Sequence, residues 1–411
     1  MSPFLRVWAR WLIPLLLIGL AAAVVGLNLI YVDAAPARSD FVPRWEGGRA
    51  WIREQMSPYD PEVSLRAQER VYGRAANLSR GEDPQHFLYP FPSLLVFAPL
   101  GLLGLEPAQA IWVSLIEVAL FVSTLLWAAS AQWKWSTGMM AAMLLFSVAW
   151  YPAFAAIVGA QFAALEALLL AGALAAIRAQ RNAVAGLLLA ACMLKPQLGL
   201  GLVLYAAVRA IVQRREALLG WFITGFVALA GAGWLLDPSW PAGMARQVID
   251  YLALPVSLSP LFRLADDLGI GTVGSLALTG ICLLYLAWEW RDSIAGDDRR
   301  FLWTVAMTQV ILLLVAPFAI AANLVTLILP LIVILEAWQV RQGRAVDAPA
   351  IVLLLLLAAA TWLVSAGGLG GEEASLGLTL GVPLVMIVGL FWVRWWTTRA
   401  RLWAELGGRA A

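Results

Sequence analysis

Apolar runs about as long as a bilayer is thick recur along almost the whole chain, and this recurrence decides most of what it can fold into. A spanning helix needs about 20 apolar residues at a rise of about 1.5 Å each. Candidates lie near 11–32, 88–105, 108–130, 136–157, 161–178, 183–213, 217–236, 272–290, 301–318, 320–338, 350–366 and 376–396. Of 411 residues, 62% are hydrophobic and 13% charged, against roughly 45–50% and about 25% in soluble domains. A soluble protein of this composition would carry a largely apolar surface. The chain therefore reads as an all-α polytopic membrane protein, one integral-membrane domain (1–411) of about twelve transmembrane helices. Its two cysteines, Cys192 and Cys282, lie in apolar runs and read as small hydrophobes, not as a disulfide framework or thiolate metal site. A net charge of +2 offers nucleic acid no basic footprint.

The first run, 11–32, follows Arg6 and Arg10 and is too long for a removable signal peptide, so it reads as a retained anchor. Arginines in short loops mark the cytoplasmic side. These are Arg178 with Arg181, then Arg209, Arg214 and Arg215, then Arg291 with Arg299 and Arg300, Arg341 with Arg344, and the tail from Arg394 to Arg401. Five alternating spans would, however, leave Arg178 outside. Either 88–105 is re-entrant and 183–213 is a bent pair turning at Lys195–Pro196, or Arg178 is outside and 183–213 crosses once. The first is the favoured reading.

Two segments are expected to face outward. The longer, 34–87, carries eight arginines and eight carboxylates. In it Phe41, Trp45, Gly48 and Ile52 recur at i, i+4, i+7 and i+11, the pattern of an amphipathic helix on the bilayer surface, and 61–76 predicts a second. The other, 237–271, holds Trp240, Arg246, Asp250, Arg263, Asp266 and Asp267. Between these loops 88–236 forms a helical module, and 272–411 a C-terminal bundle.

Ionisable groups inside apolar runs need a reason to be there. Lys195 interrupts the run from Leu187 to Leu204 and is followed by a helix-bending proline. It suits a phosphate at the membrane face, or equally a snorkelling end. Asp40 stands just before the first amphipathic helix, where a carboxylate can take a proton from a hydroxyl or simply cap the helix with Ser39. Glu117 and Glu166, the latter five residues after Gln161, suit interhelical partners before sugar ligands. His86 is the only histidine, which gives a His–carboxylate metal site poor support. There is no GxxxxGK[ST] or GxSxG motif.

Several short motifs line up in order: Asp40 with Trp45-Glu-Gly-Gly-Arg49, Ser57-Pro-Tyr-Asp-Pro61, Tyr89-Pro-Phe-Pro-Ser93, Gly159-Ala-Gln161, and Ala185-Gly-Leu-Leu-Leu-Ala-Ala-Cys-Met-Leu-Lys-Pro196. Together they resemble the polyprenyl-phosphate-sugar-dependent glycosyltransferases of family 87, the mannosyltransferase-like DUF2029-type membrane proteins of C-type glycosyltransferase fold. The resemblance covers about residues 38–215, while the C-terminal half matches in hydropathy and little else. Where such proteins often show a histidine-containing turn, this chain has Pro317-Phe-Ala-Ile-Ala-Ala-Asn323.

The resemblance implies transfer of a hexose from a polyprenyl-phosphate donor to a lipid or glycan hydroxyl outside the cytoplasmic membrane, with inversion. It implies Asp40 as general base and Lys195, with Arg246 or Arg263, on the leaving phosphate. Glu46, Tyr59, Tyr89, Gln161, Glu166 and Asn323 become candidates for substrate contact. The donor carries a single phosphate and not a nucleotide diphosphate, so the implied chemistry calls for no cofactor or metal. Membrane lipids are expected partners and nucleic acid is not. Two other classes compete: a transporter or flippase using Glu117, Glu166 and Lys195 as a relay, and a non-catalytic assembly protein. A transporter has no need of the long charged loop at 34–87.

Overall fold

A computed structural model describes residues 19, 21–34, 40–254, 258–367 and 372–399. Arg6, Arg10, Arg38, Ser39 and Arg401 lie outside them, and the first candidate span is described only from residue 19. Every regular element among the described residues is helical. The chain divides into two compact units, one of 1–87, 93–118 and 157–160, the other of 88–92, 119–156 and 161–411.

The first unit comprises α1 (Ala21–Ala34), α2 (Phe41–Glu54), α3 (Pro61–Tyr72), α4 (Leu94–Leu100) and the start of α5 (Leu105–Ala131). Its centre is the crossing of α2 and α4, and glycine makes that crossing possible. A Cβ on Gly48 would stand 2.5 Å from the Phe97 carbonyl oxygen, and one on Gly101 would stand 2.5 Å from the Arg49 nitrogen. The two helices thus touch backbone to backbone. Gly47 similarly admits the Phe87 ring, 2.7 Å from where its Cβ would be. Arg53 then closes the C-terminal end of α4, donating to the carbonyls of Gly101 (3.3 Å) and Leu102 (2.6 Å), groups a helix end otherwise leaves orphaned. Overpacking such a crossing costs about 1–3 kcal/mol. Gly48→Ala is therefore expected to lower the thermal unfolding midpoint of the detergent-solubilised protein, and an unchanged midpoint would contradict the contact.

This packing corrects the expectation of a surface-lying helix over 41–52. The helix forms, but Phe41 to Gly48 and Ala50 are all buried, Arg44 and Glu46 included. The glycine pair lets neighbours cover the face that a surface helix would leave to water. Helix α3 does keep one buried stripe, Val63, Ser64 and Ala67. Asp60 caps it by accepting from the Glu62 amide at 2.9 Å, and Gly73 ends it at φ 71°. His86 is tied to this helix through Nδ1 and the Ser64 hydroxyl at 3.0 Å. Glu117 is an interhelical partner, accepting from Asn28 of α1 at 3.0 Å.

The second unit contains α6 (Thr137–Ala149), α7 (Tyr151–Val158, of which 157–158 fall in the first unit), α8 (Ala163–Arg178), α9 (Asn182–Ala191), α10 (Pro196–Val212) and α11 (Glu216–Leu236). It continues with α12 (Trp240–Leu252), α13 (Pro260–Asp267), α14 (Gly271–Ser293), α15 (Asp298–Val315), α16 (Ile328–Gln342), α17 (Asp347–Gly367) and α18 (Glu372–Thr397). Leu235 and Val273 are 84% and 81% exposed, and α11 and α14 leave most of their apolar surface uncovered. Such surfaces are stable in lipid.

Five helical stretches among the described residues are long and apolar enough to cross a membrane, or six if α6 and α7, bent by 50°, form one. The expected count was about twelve. The difference has local causes. Segment 88–105 contains only the short helical stretch Phe91–Leu100 that ends in α4, α8 is 16 residues long, and 183–213 breaks into α9, a 3₁₀ turn at Cys192–Leu194 and α10. The break falls at Lys195–Pro196, where proline removes a donor and suits a first helical turn.

Arginines gather at one end of this unit. Arg178 and Arg209 both approach Asp298, at 3.8 and 3.7 Å, and Arg209 also donates to the carbonyls of Ser293 (2.9 Å) and Gly296 (3.1 Å). Next to Asp298 in the chain, Arg299 pairs with the buried Glu336. Since Arg178 and Arg209 flank the α9–α10 segment and meet at one carboxylate, that segment runs out and back. This is the bent-pair arrangement, with Arg178 and Arg209 at the same end of the unit.

Candidate functional site

Helices α8, α10 and α15 each have one terminus at the arginine end of the second unit. Their other termini are about 24–27 Å away at 1.5 Å per residue. Those far termini carry most of the second unit's candidate residues. Lys195 stands at the N-cap of α10, 3% exposed, and its Nζ donates to Asn323 Oδ1 at 3.0 Å. Asn323, itself 3% exposed, belongs to the 3₁₀ segment Ala321–Leu327 after α15, and its Nδ2 donates to the Phe318 carbonyl at 3.0 Å. Phe318 has φ 59°, a left-handed conformation unusual for a bulky residue. The Asn323 amide thus bridges a strained turn and a buried ammonium.

The outward-expected segment 237–271 contributes one ring contact to the Phe318 turn. Tyr251 of α12 lies with its ring 5.5 Å from that of Phe318. On the same helix Arg246 is exposed, while Arg263 on α13 is half-buried. Gln161, 5% exposed, immediately precedes Phe162, whose ring lies 5.4 Å from that of Tyr89. The Tyr89-Pro-Phe-Pro segment continues against α11, where Phe91 and Pro92 come within 3.4 Å of the place a Cβ on Gly233 would take. Glu166, in the first turn of α8, is fully buried against Cys192 and Gly199. Among the described residues no three His, Cys, Asp or Glu side chains gather as metal ligands.

The remaining candidates belong to the first unit. Asp40 is exposed at the N-cap position of α2 and makes no side-chain capping hydrogen bond, so capping does not account for its carboxylate. Glu46 is 1% exposed and accepts from Arg70 Nε at 2.8 Å. Tyr59 packs edge-on against Phe87 at 5.6 Å. Both side chains are buried.

One arrangement escapes sequence reading altogether. The Ala160 carbonyl accepts from Arg44 and from Trp112 Nε1, each at 2.8 Å, and Ala160 itself has φ 47°. The motif Gly159-Ala-Gln161 is thus a strained turn held from its backbone oxygen.

The sequence profile of glycosyltransferase family 87 matches residues 87–365, well over half of the chain. The chain belongs to glycosyltransferase family 87. It is a multi-pass membrane glycosyltransferase, the first of the three readings weighed from the sequence. The matched residues correct the extent of the resemblance. They begin after Asp40, α2 and α3 and continue through most of the C-terminal half, where hydropathy alone was expected to agree. The family 87 match therefore takes in Lys195, Gln161, Tyr89 and Asn323, and leaves Asp40 outside. No curated protein matches the chain.

Proposed function

We propose that this family 87 enzyme transfers a hexose from a polyprenyl-phosphate donor to a lipid or glycan hydroxyl on the extracytoplasmic face of the cytoplasmic membrane. The supporting observation is the two-ended build of the second unit, with Arg178, Arg209 and Arg299 at one end and Lys195, Asn323 and Gln161 at the other. Short-loop arginines favour the cytoplasmic side, so the Lys195 end faces outward. The reading goes with about twelve passes, several of them made by short or broken helices, and with 34–87 as an outward loop.

In the proposed displacement the acceptor hydroxyl gives its proton to the Asp40 carboxylate as its oxygen attacks the anomeric carbon from the face opposite the phosphate. The bond from that carbon to the phosphate oxygen breaks, its electron pair stays on the oxygen, and the sugar inverts. The products are the glycosylated acceptor and polyprenyl phosphate. Lys195, a buried and poorly hydrated cation, is proposed where charge develops on the leaving group. Arg246 and Arg263 are the further cations proposed for the phosphate, and Tyr89, Gln161 and Asn323 the residues proposed for the sugar.

The test uses purified protein in lipid with a panel of labelled polyprenyl-phosphate sugars, mannose first, a crude lipid extract as acceptor, and nucleotide sugars in parallel. Label is expected to move to a new lipid or glycan from a polyprenyl-phosphate donor and from no nucleotide sugar. Transfer directly from a nucleotide sugar would overturn the donor assignment.

A further inference from the structure

The turn at Gly159-Ala160-Gln161 is closed by its own backbone and then gripped from outside. The Ala160 amide donates to the Ile157 carbonyl at 3.0 Å and the Gln161 amide to the Ala156 carbonyl at 2.8 Å, the paired bonds of a Schellman ending on α7. Such an ending normally has glycine in the left-handed position, but here Ala160 occupies it, at φ 47°. A residue with a side chain keeps that conformation only where its surroundings over-determine it. Two buried donors from other helices do so: Arg44 Nη1 of α2 and Trp112 Nε1 of α5 both reach the Ala160 carbonyl oxygen, at 2.8 Å each. One of them is charged, and a charge-assisted bond is the stronger kind.

The held oxygen belongs to the peptide group that leads into Gln161. Because a peptide group is planar, holding its oxygen also sets the direction of the Gln161 nitrogen. Gln161 is buried, and after it Phe162 stands at the N-cap position of α8 with its ring 5.4 Å from that of Tyr89. A side-chain amide recognises a hydroxyl through two donors and an acceptor of fixed direction, so its usefulness depends on how its backbone is set. We infer that Arg44, with Trp112, is a positioning residue: by holding the Ala160 carbonyl it fixes the backbone from which the Gln161 amide meets the hydroxyls of the donor sugar. Helix α2 then serves the reaction twice, through Asp40 at its N-cap position and through Arg44 one turn later. The inference rests on Gln161 being a sugar contact, as proposed for this enzyme.

The experiment needs no knowledge of the acceptor. Equilibrium binding is measured for short-chain polyprenyl phosphates carrying mannose, glucose or galactose, and for the methyl diester, which has the same charge and no sugar. The variants are Arg44→Gln, Trp112→Phe, Gln161→Ala and the Arg44→Gln/Gln161→Ala pair. Wild type is expected to prefer one sugar-bearing ligand over the methyl diester. Gln161→Ala is expected to lower that preference roughly tenfold and Arg44→Gln roughly threefold, the loss of one hydrogen bond and of part of its alignment. The double variant is expected to lose no more than Gln161→Ala alone, because Arg44 acts through Gln161. Affinity for the methyl diester is expected to stay at the wild-type value throughout. Trp112→Phe removes the other donor; it is expected to match Arg44→Gln and carries the test if that variant does not accumulate. An Arg44→Gln variant that keeps the preference, weakens both ligands equally, or adds its loss to that of Gln161→Ala overturns the inference and leaves Gln161 as a sugar contact. An unaltered preference in Gln161→Ala, or none in wild type, overturns the Gln161 assignment, and this inference with it.

Discussion

Asp40→Asn is expected to abolish sugar transfer while leaving the amount of folded protein in the membrane unchanged. Asparagine keeps the size of the side chain and is as good a helix N-cap as aspartate, so nothing in α2 should suffer. Asp40 is moreover exposed and makes no side-chain cap bond that the change would break. What the amide loses is the capacity to take a proton, and general-base catalysis is worth roughly 10²–10⁴-fold in rate. The measurement is turnover with saturating donor, set against protein recovered as a single size-exclusion peak. Equal turnover in wild type and variant would remove the base from the first outward loop. A parallel loss of folded protein would mark Asp40 as a structural residue.

The second large effect concerns Lys195. Lys195→Ala is expected to lower kcat/KM for the lipid-linked donor by about 10²–10³-fold, the range seen when one preorganised group facing a developing anion is removed. Lys195→Arg should lose less, because the charge survives, although guanidinium geometry is a poor substitute for a point charge in a tight pocket. Truncation also leaves Asn323 Oδ1 without its ammonium donor, so the Ala variant needs its unfolding midpoint measured beside its kinetics. If both variants titrate with donor like wild type, Lys195 is a buried packing residue and its cationic role falls.

How far these features could be read from the sequence depends on how local their causes are. The helix break at Lys195–Pro196 was legible because proline acts on its own neighbourhood, and the break is found there. The α3 helix was legible too, although the expected 61–76 stops at Tyr72, where Gly73 ends it. The covering of α2 was not. Period alone reports which residues are apolar, whereas Gly47 and Gly48 act by letting Phe87 and α4 approach, partners 40 to 50 positions distant. Fewer full-length helices than expected spans are found for a related reason, since hydropathy windows average across the turns that cut helices short. The meeting of Arg178 with Arg209 places the two ends of the α9–α10 segment together, and it depends on Asp298, which no sequence pattern singled out. In the candidate site, Lys195 stood out because it interrupted an apolar run, whereas Asn323 was noticed only through the resemblance.

The Ala160 turn bears on how such a protein tolerates change. Its hold passes through a main-chain oxygen, which every amino acid supplies. Substitution at position 160 can alter the backbone strain there but cannot delete the acceptor. Selection to keep the turn in place must therefore fall on the donors, Arg44 and Trp112, and on no paired side chain at all. Related chains would be free to vary at position 160 with no compensating change elsewhere, so covariation between positions would give no hint of this contact. A search for correlated substitutions would pass over one of the fastenings of the first unit, although an arginine and a tryptophan are both committed to it.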